Sequence, residues 1–474
     1  MTEIVTAFLL IAGTAAFVIA GIRIGRSGKG GLDEFLVARN SFNTRTGIAT
    51  LLASIFGAWI LFSPAEAATW GGVTALLGYA IGIAAPRLLL IPLGAKMRRA
   101  LPHGRSLVDF VRVRYGTGLY VAVLLVMLSY LAVLIAAEAT ATVRLVQAVS
   151  DLPAWLPAAL ALGGSVAYTA IGGLRASIMT DRAQFAIIMP FIVAILLVGG
   201  YALVNAGGVA ALSVEVPELI TIGGIGAMEM AGALILALLF TGIFHQGTWQ
   251  RVFALESERA VKRSMGWSAL VAAPVVLLVG AFGIAHELLG LDQPSAAVFA
   301  VLETAVPSWL LAILAIFAVA LVLSSMDTAL GGIASLTIVV TRTARADIDP
   351  VRLRRYALLA MLAVSAGALV VAIQGYSVLY LFLLADLLCA AAAVPVFAGL
   401  YIRRYGARLA GASMAVALAA GVALFPDPEF TRGNLFLSFA VAAGIPFLML
   451  PLCLLSRGRF DFARLEAEVR PYND

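Results

Sequence analysis

Charged side chains are scarce in this chain. They supply 12% of its 474 residues, against roughly a quarter in an ordinary soluble domain, and that shortage excludes a fold wrapped in a hydrated surface. Cysteine is scarcer still: Cys389 and Cys453 both sit inside apolar stretches, which excludes a disulfide framework and a thiolate metal site. The three histidines occupy unrelated stretches and offer no H-E-x-x-H or comparable spacing, so enzymatic machinery is missing and no catalytic residue is assigned. The opening Met1-Thr2-Glu3, followed by an apolar run to Ile24, lacks the basic start and small-residue cleavage site of a signal peptide. It reads as a retained helix.

What the chain has instead is hydrocarbon. Hydrophobic residues make up 62% of the sequence, a proportion that a bilayer accepts on the outside of a fold as well as inside. Reading for the roughly 20 apolar residues that span a membrane predicts an all-α integral membrane protein with thirteen transmembrane segments. They cover approximately 4–24, 46–65, 72–95, 118–147, 154–172, 178–203, 230–252, 265–289, 308–341, 354–374, 377–402, 407–425 and 434–455. One membrane domain over 1–474 is expected, with no soluble module appended.

The net charge of +6 comes from short clusters between apolar runs rather than one basic groove, so topology explains it and nucleic acid is not an expected partner. The odd-numbered connections hold the clusters. Arg26, Lys29, Arg39 and Arg45 fall in the first, and Lys96, Arg98, Arg99, Arg105, Arg112 and Arg114 in the third. Arg175 and Arg182 follow in the fifth, Arg251, Arg259, Lys262 and Arg263 in the seventh, with further clusters at 342–355 and 403–408. Because cytoplasmic loops retain Lys and Arg, the N-terminus is expected outside and the C-terminus in the cytoplasm, in a bacterial-type inner membrane.

Four stretches resemble the sodium/solute symporter family, whose members include sodium/proline, sodium/sugar and sodium/pantothenate symporters. Asp33-Glu34-Phe35-Leu36-Val37-Ala38-Arg39-Asn40 resembles its acidic-aromatic segment, and Tyr168 through Ala176 followed by Thr180-Asp181-Arg182-Ala183-Gln184 is the most specific match. Gln246-Gly247-Thr248-Trp249-Gln250-Arg251 and Leu323-Ser324-Ser325-Met326-Asp327-Thr328 are similar to two later family segments. The resemblance implies a LeuT-type core of two inverted five-helix repeats, 46–203 and 230–402, with 4–24, 407–425 and 434–455 peripheral. Solute and ions would then bind where the first helix of each repeat breaks. Gly57 in segment 2 and Gly242 and Gly247 in segment 7 interrupt the two at corresponding places.

The resemblance also carries over a principal sodium site, made by the Ser324 and Ser325 side chains and the Ala53, Phe56 and Leu321 carbonyls. Read from residues alone, those hydroxyls bond back to their own helix carbonyls, the commoner habit in membrane helices; the resemblance is what puts the ion site ahead. Asp181, Asp327 and Thr328 fall on a second cation position of the family, where a carboxylate at 327 departs from the usual hydroxyl or small residue. Two neighbouring carboxylates in hydrocarbon need a bound cation or a proton, so a second sodium or a proton is expected there. The competing reading pairs Asp181 with Arg175 or Arg182.

Candidates for binding solute are the polar and aromatic residues at mid-depth: Trp59, Tyr130, Glu138, His245, Gln246, Trp249 and Asp386. Each also has an ordinary packing role. Glu138 stands about 15 Å deep by helical rise, where it binds an amine, carries a proton or pairs with Arg87 of segment 3. The expected activity is sodium-coupled symport, with a proton as a further coupling ion, of a small polar organic solute such as an amino acid or carboxylate by alternating access. A monomer in the bilayer suffices. The alternative is a solute-binding membrane sensor that does not transport.

Overall fold

Apolar sequence with this little charge folds into helices because each helix satisfies its own backbone hydrogen bonds away from water. The computed structural model describes residues 3–25, 31–345, 347–456 and 458–469; the expected loop cations Arg26 and Lys29 lie outside them. Among the described residues there is no strand, only an isolated bridge between Phe42 and Leu255. The helices of the first half are α1 (Glu3–Gly25), α2 (Leu32–Leu36), α3 (Thr44–Ile55), α4 (Ser63–Ala100), α5 (Leu107–Tyr115), α6 (Thr117–Gln147), α7 (Trp155–Asn205), α8 (Gly208–Glu215) and α9 (Pro217–Ile220). The second half adds α10 (Ile225–Thr241), α11 (Gln246–Ala254), α12 (Glu258–Leu288), α13 (Ala297–Ala305), α14 (Ser308–Ala344), α15 (Pro350–Ala372), α16 (Val378–Phe397), α17 (Ala407–Leu424), α18 (Leu435–Met449) and α19 (Ala463–Glu468).

Expected segment 2 is two half-helices. Asn43 caps α3 by accepting from Thr46 N at 3.0 Å, and α3 stops at Phe56 (φ −75, ψ 78). A short 3-10 turn, Ala58–Leu61, bridges to α4, which opens on Pro64 where a missing N–H costs nothing. The expected segments 2 and 3 then meet at a single residue inside α4, Gly72 (φ 52, ψ −144). Segments 5 and 6 meet in the same way inside α7 at Gly173 (φ 57, ψ −164). Each corner needs glycine twice over: for the positive φ, and because a Cβ would fall 2.0 Å from Leu219 O at Gly72 and 2.5 Å from Phe35 Cδ2 at Gly173.

Segment 7 is broken as well, with α10 and α11 bent by 53° across residues 242–245. By length and composition, nine helices of the described residues can cross a membrane, or ten with this bent pair counted as one.

The bundle centre is built by α4 packed on α10 and α12, and by α14 packed on α6 and α7. α1 lies against α7, while α17 and α18 pack on each other and on α16. Side chains such as Ile81, Leu125, Leu197, Leu270 and Val370 are exposed on the outside, as lipid contact requires. Arginines bind helix ends together. Arg114 of α5 donates to Gly399 O, Ile402 O and Tyr405 O, each at 2.9 Å, satisfying carbonyls beyond α16. Arg98 of α4 does the same for α11, reaching Val252 O at 2.6 Å and Leu255 O at 2.8 Å. Orientation counting treats both as loop charge; both are structural.

Candidate functional site

The break between α3 and α4 brings carbonyls and hydroxyls together. Gly57 sends its N–H to Ile55 O at 2.9 Å, whereas a continuing helix would have sent it to Ala53 O. Ala53 O thereby loses its helical donor. Glu138 of α6 enters the gap from the side, and the Ala58 N–H donates to its Oε2 at 2.9 Å. The contact is close: a Cβ on Gly57 would fall 1.9 Å from Glu138 Oε1 and 2.7 Å from Ser325 Oγ.

Ser324 and Ser325, one residue apart on α14, point to different neighbours. Ser325 faces the break and donates to Leu321 O at 3.2 Å or Val322 O at 3.1 Å. Ser324 donates instead to Asp181 Oδ1 at 2.8 Å.

Asp181 is fully buried, and neither Arg175 nor Arg182 is its partner. Arg175 pairs with Glu34 at 2.6 Å, and Arg182 is exposed. The partner is Arg251, 1% exposed, whose terminal nitrogen lies 2.6 Å from Asp181 Oδ2. The same guanidinium donates to Thr328 Oγ1 at 2.9 Å, Thr50 Oγ1 at 2.8 Å and Gly247 O at 3.0 Å, while Thr50 donates to Asp181 Oδ2 at 2.5 Å. Asp327, also fully buried, has its Oδ1 3.2 Å from the Thr328 hydroxyl, which donates either there or to Ser324 O at 3.0 Å, and its Oδ2 has no hydrogen-bond partner among the described residues.

Above the break lies a cavity offering about 100 Å³ to the centres of water-sized molecules. Trp59, Tyr130, Glu138, His245 and Asp386 line it, together with Ser54, Arg87, Thr241, Ser325 and Thr328. Its walls are aromatic. Trp59 stacks on Tyr79 (5.9 Å, 9°) and meets Phe382 edge-on (6.1 Å, 61°), while Tyr130 meets His245 edge-on at 5.8 Å. The Thr241 hydroxyl lies 2.7 Å from both Asp386 Oδ1 and Ala237 O and donates to one of them. Glu138 Oε1, Asp386 Oδ2 and His245 Nδ1 have no hydrogen-bond partner among the described residues. Arg87 does not pair with Glu138; it donates to Ile83 O of its own helix.

Gln246 and Trp249 do not line this cavity. The bend before α11 turns them toward other helices: Gln246 accepts from Ser106 Oγ at 2.8 Å and donates to Arg105 O at 3.0 Å and Ser335 Oγ at 3.1 Å. Trp249 donates to Ile243 O at 2.7 Å and stacks on Phe397 at 6.2 Å. Both are core.

No family model matches the chain. It is 25% identical to a spermidine transporter of Candida albicans over 373 residues, 76% of this chain and 69% of that one. A solved sodium-coupled sialic acid symporter, in a substrate-bound outward-open state, superposes with a TM-score of 0.77 at 16% identity, covering 96% of this chain and 98% of the other. Mhp1, a nucleobase-cation-symport-1 family transporter, in a closed conformation with bromovinylhydantoin bound, superposes with a TM-score of 0.60 at 15% identity over 91% and 96%. The chain has the LeuT-type transporter fold. Its relatives are transporters, not enzymes.

In this fold the two helix breaks, α3 to α4 and α10 to α11, sit beside one another at the cavity: Ser54, Ile55 and Trp59 come from the first, and Thr241, Gly242, His245 and Thr248 from the second. Among the described residues no group of three or more His, Cys, Asp or Glu side chains could hold a metal ion, so any ion here relies on hydroxyls, carbonyls and single carboxylates.

Sequence reasoning missed three participants. Arg251 was counted as loop charge although it falls inside the expected segment 230–252. Thr50 and Thr241 carry one available signal, a hydroxyl about two turns before the predicted break at Gly57 and directly before the one at Gly242.

Proposed function

We propose that this protein is a cation-coupled secondary transporter that carries an amine-bearing organic solute across a cell membrane by alternating access. The observation that carries the reading is the cavity at the helix breaks, where Glu138 and Asp386 each turn a carboxyl with one unbonded oxygen toward aromatic walls. Carboxylates supply charge to an ammonium group, and the faces of Trp59, Tyr79 and Phe382 add cation–π attraction. The Candida relative is named a spermidine transporter, which agrees with that chemistry. Arg87, the one arginine on the cavity wall, favours a second reading in which the solute also bears a carboxylate, as an amino acid does.

Sodium is the proposed coupling ion. Its ligands are the Ala53, Phe56 and Leu321 carbonyls with the Ser324 and Ser325 hydroxyls, a reading supported by the lost helical donor at Ala53 O and by Ser325 facing the break. Asp181, Asp327 and Thr328 form a second coupling position, for sodium or a proton, supported by the free oxygen of Asp327. The sodium-coupled sialic acid symporter shares the fold.

We read α4 as two spans divided at Gly72 and α7 as two divided at Gly173, with each broken helix one span, so the proposed count is thirteen. Repeats 46–203 and 230–402 then carry the machinery, with 4–24, 407–425 and 434–455 peripheral. The N-terminus faces outward and the C-terminus the cytoplasm of a cell with an inner membrane, and one copy suffices. Thermal unfolding of the purified protein across a solute panel, with sodium or potassium as the sole salt, tests the reading. Di- and polyamines that stabilise only in sodium support it; carboxylates that stabilise equally well in potassium overturn it.

A further inference from the structure

Building on the second coupling position just described, we infer that Arg251 is itself the cation of that position. Its guanidinium stands where a mobile ion would otherwise neutralise Asp181, and Asp327 is left as the one carboxyl of the cluster open to a coupling ion.

The arrangement of donors carries this. A carboxylate buried in the bundle needs a counter-charge, and for Asp181 the guanidinium at 2.6 Å already provides one. Both carboxylate oxygens are engaged, Oδ2 by Thr50 and Arg251 and Oδ1 by Ser324. Every nitrogen of the guanidinium is engaged too, through Thr50, Gly247, Asp181 and Thr328. Arginine does not lose its proton in proteins, so this charge is permanent and tethered. A sodium ion at Asp181 would have to sit beside it in a site screened from water, where like charges repel strongly.

The contacts also join the two halves of the fold. Thr50 lies on α3, Asp181 on α7, Arg251 on α11 and Thr328 on α14, so the charge pair ties one element of each helix break, α3 and α11, to α7 and α14. A mobile ion would release that tie at each cycle; a tethered one keeps it. Asp327 is different. One of its oxygens lies 3.2 Å from the Thr328 hydroxyl, the other accepts no hydrogen bond among the described residues, and Tyr168 of α7 stands beside the carboxyl. The asymmetry between the two aspartates narrows the second position to the Asp327 side.

The test compares sodium binding by purified protein in wild type, Arg251→Gln, Arg251→Lys and the charge-neutral double variant Asp181→Asn/Arg251→Gln. It reads bound sodium per chain and the unfolding temperature in sodium against potassium. The expected result is that Arg251→Gln unfolds several degrees lower in potassium and regains most of the loss in sodium, with one more sodium bound per chain than wild type. Arg251→Lys behaves as wild type does. The double variant binds the wild-type number of sodium ions and shows no added sodium rescue, and because both members of the ion pair are removed together, stranding neither, it folds even if the single variant does not.

A double variant that binds one sodium fewer than wild type would make Asp181 an ion ligand and overturn the inference. So would an Arg251→Gln protein that folds but has no more response to sodium than wild type. Failure of the symport reading looks different: wild type then shows no sodium response at all, while the gain in Arg251→Gln persists.

Discussion

The Ala58 N–H donates to Glu138 Oε2 at 2.9 Å, so a carboxyl from α6 closes the backbone gap between α3 and α4. One oxygen of that side chain serves structure and the other, without a hydrogen-bond partner, faces the cavity. The two roles separate under mutation. Glu138→Gln keeps an acceptor for Ala58 but removes the charge, so the protein folds normally and amine uptake falls at least about tenfold, the loss of a charged hydrogen bond. Glu138→Ala orphans the Ala58 N–H and lowers stability by about 1–3 kcal/mol as well. Uptake in vesicles together with thermal unfolding distinguishes the pair.

Gly57 sits too close to its neighbours for any side chain. A Cβ there would meet Glu138 Oε1 at 1.9 Å and Ser325 Oγ at 2.7 Å, so Gly57→Ala must displace both. Uptake should be lost and any response to sodium weakened. Gly163→Ala is the control, since nothing lies within 4 Å of the added atom. Equal activity in the two variants would count against the break as the binding point.

Asp327→Asn tests the second coupling position. The groups facing Asp327 are Thr328 on its own helix, Arg251 of α11, and Asp181 and Tyr168 of α7. Replacing the carboxyl removes the one acidic group of the cluster with an oxygen open to a cation or a proton. Transport current measured against sodium at two pH values should lose part of its dependence on sodium or on pH, while the principal sodium response remains. An unchanged profile on both axes removes Asp327 from the coupling scheme.

Gln246 is predicted to act through packing alone. Its amide joins α5 to α14 by way of Ser106, Arg105 O and Ser335, so Gln246→Ala leaves buried groups unsatisfied at about 1–3 kcal/mol. Unfolding temperature should drop, and the solute affinity of the folded fraction should not change. A shift in affinity with unchanged stability would return Gln246 to the solute site.

The helical fold was legible because its signals are local. Apolar length marks the spans, and glycine marks the interruptions at Gly57 and Gly242. Gly72 and Gly173 were harder to read, since a loop and a one-residue corner between helices look alike in composition. The hydroxyls and carboxylates of 324–328 and Asp181 were visible as polar residues in hydrocarbon. Their partner was not. Arg251 closes an apolar segment, and counting charge by loops assigned it to the surface, although it lies buried against an aspartate 70 residues earlier in the chain. Gln246 and Trp249 were drawn into the solute site by proximity to the break, yet the 53° bend between α10 and α11 turns them into the core. Long-range pairing and the direction of a bend are set by packing, which a linear pattern does not carry.

Solute amine and sodium are proposed to bind together at the helix breaks. Proteoliposomes loaded with potassium and diluted into sodium or potassium buffer, with a labelled polyamine outside, test it most directly. Accumulation above equilibrium is expected in the inward sodium gradient, none in potassium, and loss of the gradient-driven part in Glu138→Gln. Uptake that is the same in both buffers, or that survives Glu138→Gln unchanged, would contradict it.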